Sequence, residues 1–220
     1  MGLLEVSGPV MIGPSSSHTL GALKIARFVY KLMGVPEKVI FVLHGSFALT
    51  YKGHGTDRAL IAGVLGIKPD NLDVKNAYEI ARMYGIQYYF EQYDLGDVHP
   101  NTVLIKAWKD KTYNEVEGSS IGGGAIRITK INGVECSLTG DFPALVIVNK
   151  DKPGALKEIL DCIKKNIANV YLRRVNALQG VALTIIELDE NIDDSVLKCL
   201  NQLSNVLETY NVKIEEGEGI

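Results

Sequence analysis

The chain has 220 residues, 46% apolar and 22% charged, with a net charge of −3 at neutral pH. That length holds one large domain or two ordinary ones with real cores, and the composition is that of a globular chain, not a disordered one. The weak negative charge gives nucleic acid and anionic membranes no purchase. No apolar run approaches the ~20 residues of a membrane helix, and no basic segment followed by an apolar one opens the chain.

The first dense polar stretch is Gly13-Pro14-Ser15-Ser16-Ser17-His18-Thr19. Gly and Pro are turn residues. Ser and Thr serve well at the first positions of a helix, where their oxygens accept from unpaired backbone N–H groups. One cap needs one hydroxyl; this stretch offers four and an imidazole, at a helix start that also suits an anion. An over-supplied cap on a flexible serine loop is the plainer alternative. The helix itself is expected over about Ser17 to Met33, because Ala22, Ile25, Ala26, Val29, Leu32 and Met33 recur at three- and four-residue steps. Gly34 and Pro36 stop it.

Lys38 to His44 reads as a buried strand. It runs into Gly45-Ser46-Phe47-Ala48 and then Lys52-Gly53-His54-Gly55-Thr56-Asp57-Arg58. Glycines on both sides of His54 clear space around an imidazole, and Thr56 or Asp57 can cap a helix over Arg58 to Leu65. A short helix is expected from Asn76 to Tyr84. Strands follow at Gln87–Tyr93, Thr102–Trp108 and Thr112–Gly118, the last two joined at Asp110-Lys111. His99-Pro100-Asn101-Thr102 enters the middle strand. Gly122-Gly123-Gly124, after Ser119-Ser120-Ile121, offers consecutive N–H groups to an anion, or else a hinge or bulge. Strands at Ala125–Lys130 and Glu135–Thr139 meet at Asn132-Gly133, a strong hairpin signal.

Two domains are expected, 1–140 and 141–220. In the second, Ala144–Val148 is a strand, Asn149 to Gly154 a turn with Pro153 at the first helical position, and Leu156, Ile159, Leu160 and Ile163 mark a helix. A hairpin of Ala168–Ala177 and Val181–Leu188 follows. Asp193 or Asp194 caps a second helix carrying Val196, Leu200, Leu203 and Val206 or Leu207, and Val212–Ile214 closes the chain as a strand. The order β-α-β-β-α-β is ferredoxin-like, so the whole is α+β. Its sheet edge or open face suits a second copy or another domain. The three cysteines, Cys136, Cys162 and Cys199, are odd in number and far apart. They point to a reducing, cytoplasmic setting and to packed thiols, not to a disulfide framework or a self-contained metal site.

Taken together, these motifs resemble the β chain of iron–sulfur L-serine dehydratase over nearly the whole length. The carriers are Gly13-Pro14-Ser15-Ser16-Ser17-His18-Thr19 and Gly53-His54-Gly55-Thr56-Asp57-Arg58, supported by His99-Pro100-Asn101-Thr102 and Gly122-Gly123-Gly124. The first half is similar to the allosteric substrate-binding domain found in some phosphoglycerate dehydrogenases. The second resembles an ACT domain, with Asn149 and Asp151-Lys152-Pro153-Gly154-Ala155 as its ligand or interface loop. The resemblance implies conversion of L-serine to pyruvate and ammonia without pyridoxal phosphate, beside an α subunit that holds a 4Fe-4S cluster; this chain would hold no metal. It also implies a homodimer through either domain.

Serine dehydration needs a base for the α-proton and a Lewis acid for the departing hydroxyl, which the cluster's open iron can supply. His54 is the first candidate for the acid or base, since imidazole titrates near neutral pH, and His18 the second. Ser15, Ser16, Ser17 and Thr19 would hold the substrate carboxylate. Gly55, Thr56, Asn101 and the three glycines would complete the site, and Asp57 would bind the ammonium or orient a histidine. His44 and His99 read as structural. The alternative is a regulatory protein that senses a small hydroxy- or amino-acid without turning it over.

Overall fold

A computed structural model describes residues 11–214 of the chain. The chain divides into two compact units, one up to Asn132 and one from Gly133.

In the first unit, α1 (Ala22–Met33) forms as its periodicity predicts, burying Ala22, Ile25, Ala26, Val29 and Leu32. Gly34, at φ 75°, ends it by donating its N–H to the Tyr30 carbonyl at 2.7 Å. A π-helical turn, Ser16–Gly21, precedes α1 and is continuous with it. Its signature is the Ser15 carbonyl, which accepts from Thr19 N–H at 2.9 Å and from Leu20 N–H at 3.3 Å. Such widened turns gather at functional sites.

Strands β1 (Lys38–Leu43), β2 (Gln87–Gln92), β3 (Thr102–Lys109), β4 (Thr112–Gly122) and β5 (Ala125–Ile131) stand in the order β2-β1-β3-β4-β5. β1 runs parallel to β2 and antiparallel to β3, and the β3–β4 and β4–β5 pairs are antiparallel. Two close approaches seat the helices. A Cβ on Gly63, in α3 (Thr56–Val64), would lie 2.4 Å from Ala26 Cβ of α1, and one on Gly21 would lie 2.0 Å from Ser120 Oγ of β4. The helix start carrying His18 is therefore pressed against the sheet.

Several elements differ from expectation. The segment after β1 coils into a short helix, α2 (Gly45–Thr50). The helix α3 is preceded by Gly55 in the left-handed region at φ 68°, not capped by the side chain of Thr56 or Asp57. Thr56 instead lies fully buried in its first turn. A 3-10 turn, Leu72–Asn76, leads into α4 (Ala77–Met83). Gly122, Gly123 and Gly124, all at positive φ, make the irregular β4–β5 turn.

The Asn132-Gly133 hairpin turn forms as its sequence requires, with φ 49° and 76°. The division into units falls there, and β6 (Val134–Leu138) begins the second unit. This unit then runs β7 (Ala144–Lys150), α5 (Ala155–Cys162), β8 (Ile167–Asn176), β9 (Val181–Leu188), α6 (Asp194–Gln202) and β10 (Val206–Val212). Its sheet order, β10-β7-β9-β8, is antiparallel throughout, which with the β-α-β-β-α-β order is the ferredoxin-like arrangement. Leu145, Ile147, Ile159, Ile186, Val196 and Leu200 meet in its core.

Three readings of this half are corrected. The second helix stops at Gln202, and the last strand starts at Val206, not Val212. Leu203 and Val206 fit a helical step, but buried Asn205 anchors a turn between them by accepting from Lys150 N–H at 2.7 Å. Pro153 sits in the turn before Gly154 (φ 85°), and the helix opens at Ala155. Cys162 and Cys199, expected as separate packed thiols, are joined in a disulfide with Cα atoms 5.8 Å apart. They sit on α5 and α6, two helices that share one core, so residues distant in sequence come face to face.

Candidate active site

Ser15 sets the site's first element. Its backbone is extended, and its Oγ accepts from the His18 N–H at 3.1 Å, which caps the π-turn. That cap and the turn aim the His18 side chain at two neighbours. Nε2 lies 2.9 Å from Ser46 Oγ on α2, and the ring meets Phe47 edge-on at a centroid distance of 5.6 Å. Nδ1 is 3.5 Å from Ser15 Oγ, a weak contact at best.

His54 stands opposite. Its ring centroid lies 4.8 Å from that of His18, with the planes inclined by 30°. The two motifs are tied as well as adjacent, since Thr19 Oγ1 donates to the His54 carbonyl at 3.0 Å. Thr19 is buried, His18 half-buried and His54 exposed. Burial first, and then the neighbouring His54, hold the His18 pKa below its ordinary value. Two imidazoles this close resist carrying two protons.

The remaining candidates are distributed unequally. Asp57 is engaged elsewhere, accepting from Arg58 N–H at 2.8 Å and from the Tyr78 hydroxyl at 2.7 Å. Burial and then that hydrogen bond push the Tyr78 phenol well above its usual range. Thr56 Oγ1 and Asn101 Oδ1 are buried with no protein hydrogen-bond partner. Asn101 also accepts from Ser120 N–H at 2.9 Å through its carbonyl. Among the described residues, the histidines' side-chain contacts run to Ser15, Ser46, Phe47 and each other, and not to Asn101 or the three glycines. An open groove of about 440 Å³ lies against the other face of α2, lined by His44, Gly45, Ala48, Leu49 and Tyr93 among others. His44, read as structural, accepts there from Leu95 N–H at 3.1 Å.

In the second unit the Asn149–Ala155 loop is braced by the β8–β9 hairpin. Buried Asn149 accepts from Thr184 Oγ1 at 2.8 Å, Asp151 pairs with Arg174, and Asp151 N–H donates to the Gly180 carbonyl at 2.7 Å. Thr184 and Arg174 carried no signal of their own in the sequence. Nor did Tyr78. Ser46 did carry one, as a hydroxyl just past a strand end and a glycine.

Among the described residues no group of three His, Cys, Asp or Glu side chains converges for a metal ion, and no helix is long and apolar enough to cross a membrane.

The fold is α+β, and its two imidazole-bearing motifs bring paired rings and hydroxyls together at two helix starts. The family model described as "Serine dehydratase beta chain" matches residues 9–88, the span that holds both histidines. The "Probable L-serine dehydratase, beta chain" of Bacillus subtilis is 42% identical, covering 96% of this chain and 97% of its own. The "L-serine dehydratase, beta chain" of Peptoniphilus asaccharolyticus is 38% identical over 87% and 89%. A chain from Helicobacter pylori (strain 26695), "L-serine dehydratase", is 31% identical over 90% of this chain but only 48% of its own length. This chain belongs to the serine dehydratase beta-chain family.

Proposed function

We propose that this chain is the beta subunit of an L-serine dehydratase and forms the acid–base wall of its active site, converting L-serine to pyruvate and ammonia together with an α subunit. The observation that carries the reading is the 4.8 Å approach of His18 and His54, contributed by two separate motifs. The relatives' names support the substrate and the division into chains. The Helicobacter relative, about twice as long, is consistent with both parts in one polypeptide.

His54, exposed to an incoming molecule, takes the α-proton; a base so placed contributes typically 10²–10⁴-fold. His18, kept neutral by burial and by its neighbour, accepts or returns a proton without adding a second positive charge. Ser15 and Thr19 are committed to holding the two motifs, which leaves Ser16 and Ser17 for the substrate carboxylate, beside the N–H groups of the π-turn. Thr56, Asn101 and the glycines of 122–124 complete the enclosure once the partner is seated. The 4Fe-4S cluster belongs to that α subunit, and pyridoxal phosphate is not required. The second unit acts as an ACT domain, its 149–155 loop taking a small amino-acid effector or pairing with a second copy.

Anaerobic co-expression with a candidate α chain, followed by a pyruvate assay, tests the reading. Activity is expected only when both chains are present. L-serine binding by this chain with no turnover in the mixture would favour a sensor instead.

A further inference from the structure

Beyond the Asn101 side chain, the backbone of the His99-Pro100-Asn101-Thr102 motif has a role of its own, through Ser46. The Pro100 carbonyl accepts from Ser46 N–H at 2.8 Å, and the Thr102 carbonyl from His44 N–H at 3.0 Å. Gly45 turns through φ 53° between them, so close that a Cβ would lie 2.6 Å from the Pro100 oxygen. The 99–102 turn is itself braced, with Asn101 N–H donating to His99 Nδ1 at 3.1 Å and Thr102 Oγ1 to the His99 carbonyl at 2.6 Å. On the far side, Thr50 Oγ1 donates to the Ser46 carbonyl at 2.8 Å. Ser46 is thus clamped at both its N–H and its C=O, and its hydroxyl reaches His18 Nε2 at 2.9 Å.

We propose that Ser46 is a positioning residue for His18: seated by the His99–Thr102 turn, its hydroxyl fixes the orientation of the His18 ring and stays bonded to Nε2 whether or not that nitrogen carries a proton. The competing contact, from Ser15 Oγ to Nδ1, is 3.5 Å long and too weak to hold the ring. A hydroxyl can donate to a bare Nε2 and accept from a protonated one. Ser46 therefore keeps its partner through a whole proton cycle, which a backbone amide or carbonyl cannot do. This placement rests on the acid–base reading of His18, but the ring's hydrogen bond can be measured without it.

The test uses the full chain labelled with ¹⁵N at histidine. In two-bond ¹H–¹⁵N spectra, Ser46→Ala should move the His18 Nε2 resonance and shift the ring's titration, while Ser46→Thr restores the wild-type pattern. In the two-chain enzyme, Ser46→Ala should lower kcat about tenfold, the loss of one hydrogen bond to the reacting ring, with KM changed less than about twofold. Should Ser46→Ala not fold, Ser46→Cys is read the same way. A His18 Nε2 resonance and titration unmoved by these substitutions overturn the proposal. A shifted Nε2 resonance in a chain whose wild type never supports serine turnover upholds the positioning role and sinks the dehydratase reading.

Discussion

Thr19 Oγ1 donates to the backbone carbonyl of His54 at 3.0 Å, so the serine–histidine turn and the glycine-flanked histidine loop are held as one object. The Thr19 side chain is also what Gly13 packs against, since a Cβ there would lie 2.3 Å from Thr19 Cγ2. Thr19→Val keeps the shape and removes the donor. It should cost about 1 kcal/mol of stability, as a hydrogen bond of this kind contributes. Serine turnover by the two-chain enzyme should fall with it, and Thr19→Ser should restore both; thermal melts and initial rates check this.

His18 carries a pH signature. Its folded pKa lies below 6.5, the value expected of it in the unfolded chain. Between those two values the unfolded chain binds more protons, so His18 makes stability rise with pH through that window and fall as the pH drops toward its folded pKa. His54→Ala removes the smaller of the two causes, and burial remains. Histidine NMR titrations should therefore show the His18 pKa rising in that variant yet staying below 6.5. No change would mean that the two rings do not interact.

The α5–α6 disulfide closes a sequence separation of 37 residues, for which the chain-entropy relation gives roughly 3–4 kcal/mol. A reductant should lower the melting temperature of the second unit, and Cys162→Ala with Cys199→Ala should abolish that sensitivity. Thiol counting should find only Cys136 before reduction.

The approach of Gly21 to Ser120 makes a steric prediction. Gly21→Ala drives a methyl to within 2.0 Å of Ser120 Oγ and 2.5 Å of its Cβ, so it should destabilise by about 1–3 kcal/mol. Adding Ser120→Gly removes the obstacle and should recover most of the loss. Denaturant titrations of the two single variants and the double measure this coupling.

Much of this molecule is legible in the sequence because periodicity reports burial. α1, β1, β3 and the alternation of the second unit follow from where apolar residues recur. What escaped was set by tertiary contact. α2 has only six residues, and its capping contacts are supplied by the Pro100 turn. Leu203 and Val206 fit a helix as well as a strand, and the choice belongs to buried Asn205. The disulfide depends on which helix faces which, and spacing along the chain does not encode that. At the site, residue types announced His18, His54 and the serines. Ser46, seated by the 99–102 turn against His18, and Tyr78, which engages Asp57 away from the histidines, come from elements that the fold alone brings near.

The most direct measurement of the central claim is pyruvate formation from L-serine by the reconstituted two-chain enzyme carrying His54→Ala, His18→Ala or both. If the two imidazoles form one acid–base unit, His54→Ala should cost 10²-fold or more, and the double variant should be little worse than the poorer single one. A loss of less than about fivefold in His54→Ala, or losses that simply multiply in the double variant, would contradict the account.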